Sequence, residues 1–132
     1  MKRLIHKVKP EFVWRLGLGA MYLYSGWDIF THPEDWTWVL RALPEALSTS
    51  LLAVSGPFLK TQALAEIFFG GVFLLWFLPV RLVKWVSLLS ALQLAAIILL
   101  VGIDPVTFRD LGLLGGSLGL FFFYRRAQFK LI

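Results

Sequence analysis

Ionisable side chains are scarce in this chain, and several of them interrupt or border long apolar stretches. Asp28 lies at the end of one such stretch, Glu66 lies about five residues into the next, and the pair Arg109-Asp110 opens the last. Ionisable groups at membrane depth are costly, so they normally face the interior of a helical bundle and pair there. We therefore expect Asp28, Glu66, Arg109 and Asp110 to form one cluster whose acids can exchange protons during catalysis.

This expected cluster has more acid than base. Arg109 can form an ion pair with one or more of Asp28, Glu66 and Asp110, which leaves at least one acid without a countercharge. Such an acid can take up and release protons. Glu66 is the strongest candidate because it is the deepest of the three acids. A salt-bridge network that only fixes the register of the helices is the competing interpretation.

Further polar side chains extend the cluster along the same apolar stretches. Four of them are candidate ligand contacts: Tyr24, Gln62, Gln93 and Ser117. For Gln93, which lies near the middle of its stretch, an interhelical hydrogen bond is the more ordinary role. Arg15, near the start of the first stretch, is expected to extend toward the cytoplasmic membrane surface.

Composition excludes several classes of redox and metal chemistry. The chain has no cysteine and only two histidines, His6 and His32, so thiolate metal sites, iron–sulfur clusters and a haem site are not expected. No nucleotide-binding loop, flavin motif or metal-ligand spacing is present either. Electrons for any redox reaction would have to come from a partner subunit or from a substrate.

The elements that position these residues are predicted to be membrane-spanning helices. Hydrophobic residues make up 58% of the 132 residues and charged residues only 16%, which is too apolar for a small soluble domain. Four apolar runs cover about residues 12–30, 61–78, 83–103 and 107–124. We predict one all-α domain over 1–132, an integral membrane four-helix bundle. Small residues at helical spacing, including Gly70-Gly71, predict close helix packing.

The distribution of positive charge predicts the orientation. Ten of the 13 lysine and arginine residues fall at one predicted membrane side, in segments 2–15, 81–84 and 125–130. Short cytoplasmic segments retain positive charge, so both termini are predicted to be cytoplasmic. Because topology accounts for the basic charge, the expected partner is a lipid membrane, and nucleic acid is not expected.

The segment 31–60 between the first two runs is predicted to form an extracytoplasmic cap. Pro33 and Pro44 are each followed by acidic residues that favour a helix start, which gives two short helices. Trp36, Val39, Leu40 and Leu43 make one apolar stripe. Gly56-Pro57 is expected to end the second helix. We predict an amphipathic helical hairpin on the outer face, with an ordinary extramembrane loop as the alternative.

Four segments carry a resemblance to a known family: RLGLG (15–19), SGWDIFTHP (25–33), AE (65–66) with GG (70–71), and DPVTFRDLGLLG (104–115). Together they resemble the DoxX family of small four-span membrane proteins. The match extends over most of the chain, and its most specific part is FRDLGLLG. Where the family often has a lysine after the position of Asp28, this chain has Ile29-Phe30.

The resemblance implies a multi-pass protein of a prokaryotic cytoplasmic (inner) membrane. DoxD-type relatives are membrane subunits of a thiosulfate:quinone oxidoreductase, so it also implies a quinone-linked redox component with an outer-leaflet acidic and aromatic pocket. The implied protein partners are a redox subunit or a second copy of the chain. A non-catalytic membrane anchor or assembly subunit is the alternative, and the sequence leaves open whether the chain is itself an enzyme. A small transporter is less well supported, because no internal repeat is present.

Overall fold

The computed structural model describes residues 9–129, and all of its regular secondary structure in that range is helical. The all-α prediction is thereby confirmed. The elements are α1 (Pro10–Thr31), a 3-10 turn (Pro33–Trp36), α2 (Thr37–Arg41), α3 (Glu45–Leu52), α4 (Ser55–Leu74), α5 (Val80–Val101) and α6 (Pro105–Phe129). Four of the positive residues used above for the orientation, Lys2, Arg3, Lys7 and Lys130, lie outside the described residues.

Proline marks the start of α1 and of α6, and a side-chain carboxylate also hydrogen-bonds the first turn of α6. Pro10 and Pro105 are the first residues of α1 and α6, a position where the missing N–H of proline costs nothing. The Asp104 carboxylate accepts hydrogen bonds from the backbone N–H groups of Val106 (2.7 Å) and Thr107 (2.8 Å) and so caps α6. Gly102 adopts a φ of 92° in the short connection that reverses the chain before α6.

The second long helix differs from its prediction at both ends. Gly56 and Pro57, expected to stop the preceding helix, lie instead in the first turn of α4. Proline is tolerated there, so the same pair of residues fits a start as well as a stop. The helix ends at Leu74, four residues before the predicted end at 78.

The four long helices pack as two closely associated pairs. Helix α1 lies antiparallel to α4, and α5 packs against α6; contacts between α1 and α6 and between α4 and α5 close the bundle. Gly26 and Gly70 allow the α1–α4 approach. A Cβ atom at Gly26 would lie 2.9 Å from the backbone oxygen of Ala63, and one at Gly70 would lie 2.9 Å from the backbone nitrogen of Leu23.

The segment predicted to form the cap folds as two short helices and the 3-10 turn. Its apolar stripe faces inward: Leu40 is buried against Ile29, Leu59 and Ala63, and Trp36 packs at the edge of this cluster. The cap therefore covers the end of the bundle at which α1 ends and α4 begins. A second, larger core, which includes Tyr22, Phe73 and Leu120, fills the bundle itself.

The outside of the bundle is apolar over large areas, with exposed residues such as Leu16, Trp27, Leu64, Phe68 and Leu99. Among the described residues, two helices, Val80–Val101 and Pro105–Ala127, are long and apolar enough to cross a membrane, judged by length and composition alone. This is weak evidence of membrane association, because the core helix of a soluble protein can pass the same test.

Candidate functional site

A cavity of about 300 Å³ lies beneath the cap, between the ends of the four long helices. Its volume is at the lower end of the range for small-molecule sites, about 300–1,000 Å³. Most of its wall is apolar. The cap contributes the aromatic residues Trp36 and Trp38, and α5 contributes Ile97 and Leu100. A ligand with a mostly apolar body would match this wall.

One side of the cavity wall is polar. Besides Tyr22 and the two tryptophans, seven of its side chains carry hydrogen-bonding or charged groups and come from all four long helices: Ser25, Gln62, Glu66, Gln93, Thr107, Arg109 and Asp110. Five of them, namely Gln62, Glu66, Gln93, Arg109 and Asp110, were predicted from the sequence to belong to a site. The cavity thus combines an apolar body with a few convergent polar groups, which is typical of ligand-binding sites.

Glu66 is the most deeply buried acid of this wall, with 6% of its surface exposed. Its Oε1 accepts hydrogen bonds from Gln62 Nε2 (3.2 Å) and Gln93 Nε2 (3.4 Å). Its Oε2 is buried and has no hydrogen-bond partner among the described residues. A buried polar oxygen without a partner is costly, so this atom needs a hydrogen-bonding group from a ligand or from the nearby Ser25 hydroxyl.

Local sequence explains how Glu66 is held. Gln62 and Glu66 are one helical turn apart on α4, so their side chains lie on the same face. Gln93 reaches the same carboxylate from α5 and also lines the cavity. The interhelical hydrogen bond and the position at the ligand cavity, posed above as alternatives for Gln93, are therefore both present.

Arg109 and Asp110 form an ion pair at the cavity wall. Arg109 Nε lies 3.9 Å from Asp110 Oδ1, and the two side chains are 46% and 12% exposed, respectively. Within the described residues, Arg109 makes no ion pair with Glu66 or Asp28. The Arg109 guanidinium therefore lies at the exposed edge of the cavity, and Glu66 has no direct cationic partner among the described residues.

Asp28 does not line the cavity. Its Oδ2 accepts a hydrogen bond from Trp36 Nε1 at 2.9 Å, and its Oδ1 lies 3.7 Å from His32 Nδ1. This carboxylate joins the end of α1 to the start of the cap. The expected cluster of three acids around Arg109 is therefore wrong for Asp28, because Asp28 is turned toward the cap.

Tyr24 and Ser117 also lie away from the cavity. Tyr24 is 72% exposed on the outer surface of α1. Ser117 is fully buried and accepts a hydrogen bond from Ser90 Oγ at 2.8 Å, which joins α5 to α6. Neither residue contacts the space beneath the cap, so the structure gives neither of them a ligand-binding position.

The inward face of α1 was missed by sequence reasoning. Tyr22, Ser25 and Ile29 line the cavity, and Ser25 lies beside the Glu66 carboxylate. Their spacing of i, i+3 and i+7 places them on one face of the helix. This spacing could have identified the cavity-lining face of α1, whereas the sequence-based candidates Tyr24 and Asp28 lie off it. Tyr22 also donates a hydrogen bond to the backbone oxygen of Ser90 at 3.4 Å.

The cavity offers carboxylate, amide and hydroxyl groups to a ligand. Among the described residues, no group of three or more His, Asp or Glu side chains lies close enough together to hold a metal ion.

Comparison of the chain with protein-family models, with curated proteins and with solved structures finds no match.

Proposed function

We propose that this chain is an integral membrane protein that binds a quinone headgroup in the cavity beneath its cap and serves as a quinone-linked redox component. The observation that carries the proposal is the buried Oε2 of Glu66, which lacks a partner at the polar side of a mostly apolar cavity. A quinone has a flat apolar ring with polar atoms at its edge, so it matches both parts of the wall. The DoxX resemblance implies the same ligand class.

The proposed chemistry assigns protons to this chain and electrons to a partner. Reduction of a quinone to a quinol takes up two electrons and two protons. Glu66 and Asp110 are the carboxyl groups at the cavity wall that can pass protons. Because the sequence has no cysteine and no flavin motif, the proposal takes the electrons from a redox partner subunit or from a substrate.

A four-span arrangement in a prokaryotic inner membrane, with the cap outside and both termini in the cytoplasm, is part of this proposal. The polar groups of α1 and α4 support it, because Arg15 and Glu66 are buried inside the bundle. The outward faces of the same helices are apolar, with Leu16 on α1 and Phe68 on α4 more than half exposed. Both helices thus present to lipid the surface that a spanning helix needs.

A non-catalytic role in anchoring or assembling a complex is the second candidate. One face of α6 favours it: Gly112 and Gly115 are exposed, and a Cβ atom at either position would meet nothing within 4 Å. Exposed small residues allow another helix to approach closely in a membrane. A partner subunit or a second copy of this chain would fit there.

Purification from native membranes separates the two functions. The chain is extracted in mild detergent, and bound quinone is quantified by solvent extraction alongside identification of co-purifying proteins. We expect about one quinone per chain, a strong reduction in Glu66→Gln, and no change in Glu34→Gln, which alters an exposed acid of the cap. A partner protein that co-purifies in stoichiometric amount with the unaltered chain, with no bound quinone, would support the anchoring role instead.

A further inference from the structure

The cavity beneath the cap has an apolar opening as well as its polar side. Five of the described residues that line it are exposed, so at these points its wall is also part of the outer surface of the protein. One of the five is Arg109, at the polar edge. The other four are apolar and come from α3, α4 and α5: Leu47, Phe58, Ala96 and Leu100. We call these four residues the window.

The window lies where α4 meets α5. On α4, Phe58 lies one helical turn before Gln62, so the two side chains share a face. On α5, Ala96 and Leu100 lie about one and two turns after Gln93 and share its face. The two glutamines hydrogen-bond the same carboxylate oxygen, so these faces of α4 and α5 meet. The polar end of the cavity and the window are therefore consecutive parts of one seam.

This seam is open to the side of the bundle. The helices α4 and α5 belong to different closely packed pairs, and α5 presents only a methyl group at Ala96. Ala96 and Leu100 lie five residues and one residue before the end of α5 at Val101, so both are within about 8 Å of that end. In the proposed four-span arrangement, the window faces the outer leaflet.

We propose that the cavity takes a ligand with a hydrophobic tail, which enters sideways from the outer leaflet through the window and leaves its tail there. This inference rests on the proposed function and specifies tail-bearing, lipid-soluble quinones as the ligand class. The cavity of about 300 Å³ is small for a ligand site, so it holds a ring and not a long tail as well. The tail therefore needs an apolar exit.

The other exposed part of the wall does not suit a tail. A tail that left past Arg109 would place hydrocarbon against a guanidinium that is 46% exposed and paired with Asp110. Removing water from a charged group is costly. The four side chains of the window carry no polar group, so a tail displaces only lipid there.

The test compares two quinones with the same substituted ring, decylubiquinone and its tail-free analogue, for the full chain in lipid nanodiscs. Binding is the quinone retained above that retained by nanodiscs without protein, which corrects for partition into lipid. Ala96→Phe narrows the window. Because overpacking excludes the tail, we expect it to weaken binding of decylubiquinone by about tenfold or more and to leave binding of the tail-free quinone unchanged.

Leu99→Phe is the matched control for this substitution. Leu99 lies on the same helix, is 82% exposed and does not line the cavity. It should leave binding of both quinones unchanged.

A second measurement needs no variant. Decylubiquinone that carries a diazirine near the start of its tail is photolysed in nanodiscs with the unaltered chain, and the label is mapped by mass spectrometry. We expect label at Phe58 and Leu100, and its loss when excess decylubiquinone is added. Label at Arg109 in place of the window would overturn the proposed exit.

The outcomes separate this inference from the proposed function. Equal loss of both quinones in Ala96→Phe, or loss of neither, would overturn the window while leaving a quinone site in place. If decylubiquinone binds the unaltered chain and the tail-free quinone does not, the tail is required, and the position of the photolabel decides whether it lies in the window. Failure of both quinones to bind would overturn the proposed function and this inference together.

Discussion

Arg15 is buried because its guanidinium group hydrogen-bonds the backbone oxygens at the C-terminal end of α4. It donates hydrogen bonds to the backbone oxygens of Phe73 (2.9 Å), Val72 (3.2 Å) and Leu75 (2.8 Å). The last carbonyl groups of a helix have no partner within the helix, and a positive charge is favourable at that end. The expectation that Arg15 extends to the membrane surface is therefore wrong, since these carbonyl groups satisfy its donors inside the protein.

Replacing this residue tests the assignment. Arg15→Ala should lower the free energy of unfolding by about 2–4 kcal/mol, because it removes charge-assisted hydrogen bonds and leaves buried carbonyl oxygens unpaired. Arg15→Lys should recover part of that loss, since one ammonium cannot reach all three acceptors in the same geometry. Thermal unfolding in detergent measures both. An Arg15→Ala variant as stable as the unaltered chain would show that water satisfies the end of α4 equally well.

At the scale of the elements, the contact between α1 and α4 depends on glycine at particular positions. Gly70→Ala should lower the free energy of unfolding by about 1–3 kcal/mol, because its Cβ would meet the backbone of α1 at Leu23. Gly71→Ala is the matched control on the next residue, where a Cβ meets nothing within 4 Å. It should be neutral or stabilising by up to about 1 kcal/mol. Equal effects of the two substitutions would argue against a close α1–α4 contact.

Among the described residues, the side-chain hydrogen bond that joins the cap to α1 runs from Trp36 Nε1 to Asp28 Oδ2. Trp36→Phe keeps an aromatic ring but removes the donor, so it should loosen the cap by about 1 kcal/mol. Faster amide hydrogen exchange over 33–52 would report this loosening. Trp38→Phe is the control, because the indole N–H of Trp38 makes no hydrogen bond within the described residues. A cap that exchanges equally fast in both variants would show that the hydrogen bond contributes nothing to its closure.

Helix existence was predictable from this sequence, whereas the rotation of each helix was not. Prolines and charges delimit the runs, and the apolar stripe predicted from Trp36 to Leu43 packs against the bundle. In α1, however, each residue turns the side-chain direction by about 100°, so Tyr24, two residues after the buried Tyr22, lies on the outer surface. The apolar pattern gives little contrast here, since the interior and the outer surface are both apolar.

The same reasoning explains which site residues were found. Glu66 and Gln62 were selected because a charged group within an apolar helix is expected to face inward and its neighbour one turn away shares that face. Both line the cavity. Asp28 instead accepts a hydrogen bond from the cap, and Ser117 accepts one that joins α5 to α6. Nothing in their spacing distinguishes those roles from ligand contact.

At the scale of the whole molecule, the prediction is a four-span topology with both termini in the cytoplasm. Reporter fusions at Ile132 and near Ser50 test it. A reporter at Ile132 should be active on the cytoplasmic side and one near Ser50 on the exported side, because positive charge is retained in the cytoplasm. A C-terminal reporter that is active only on the exported side would overturn this topology.

The most direct test of the account is photo-crosslinking of the full chain in native membranes with an azido-quinone, followed by mass spectrometric mapping of the labelled residues. Binding beneath the cap predicts label on cavity-lining residues of the cap, α4 and α5, such as Trp38, Gln62 and Ile97, and loss of that label when excess quinol is added. Label spread over the outer apolar surfaces, unchanged by excess quinol, would contradict a quinone site in this cavity.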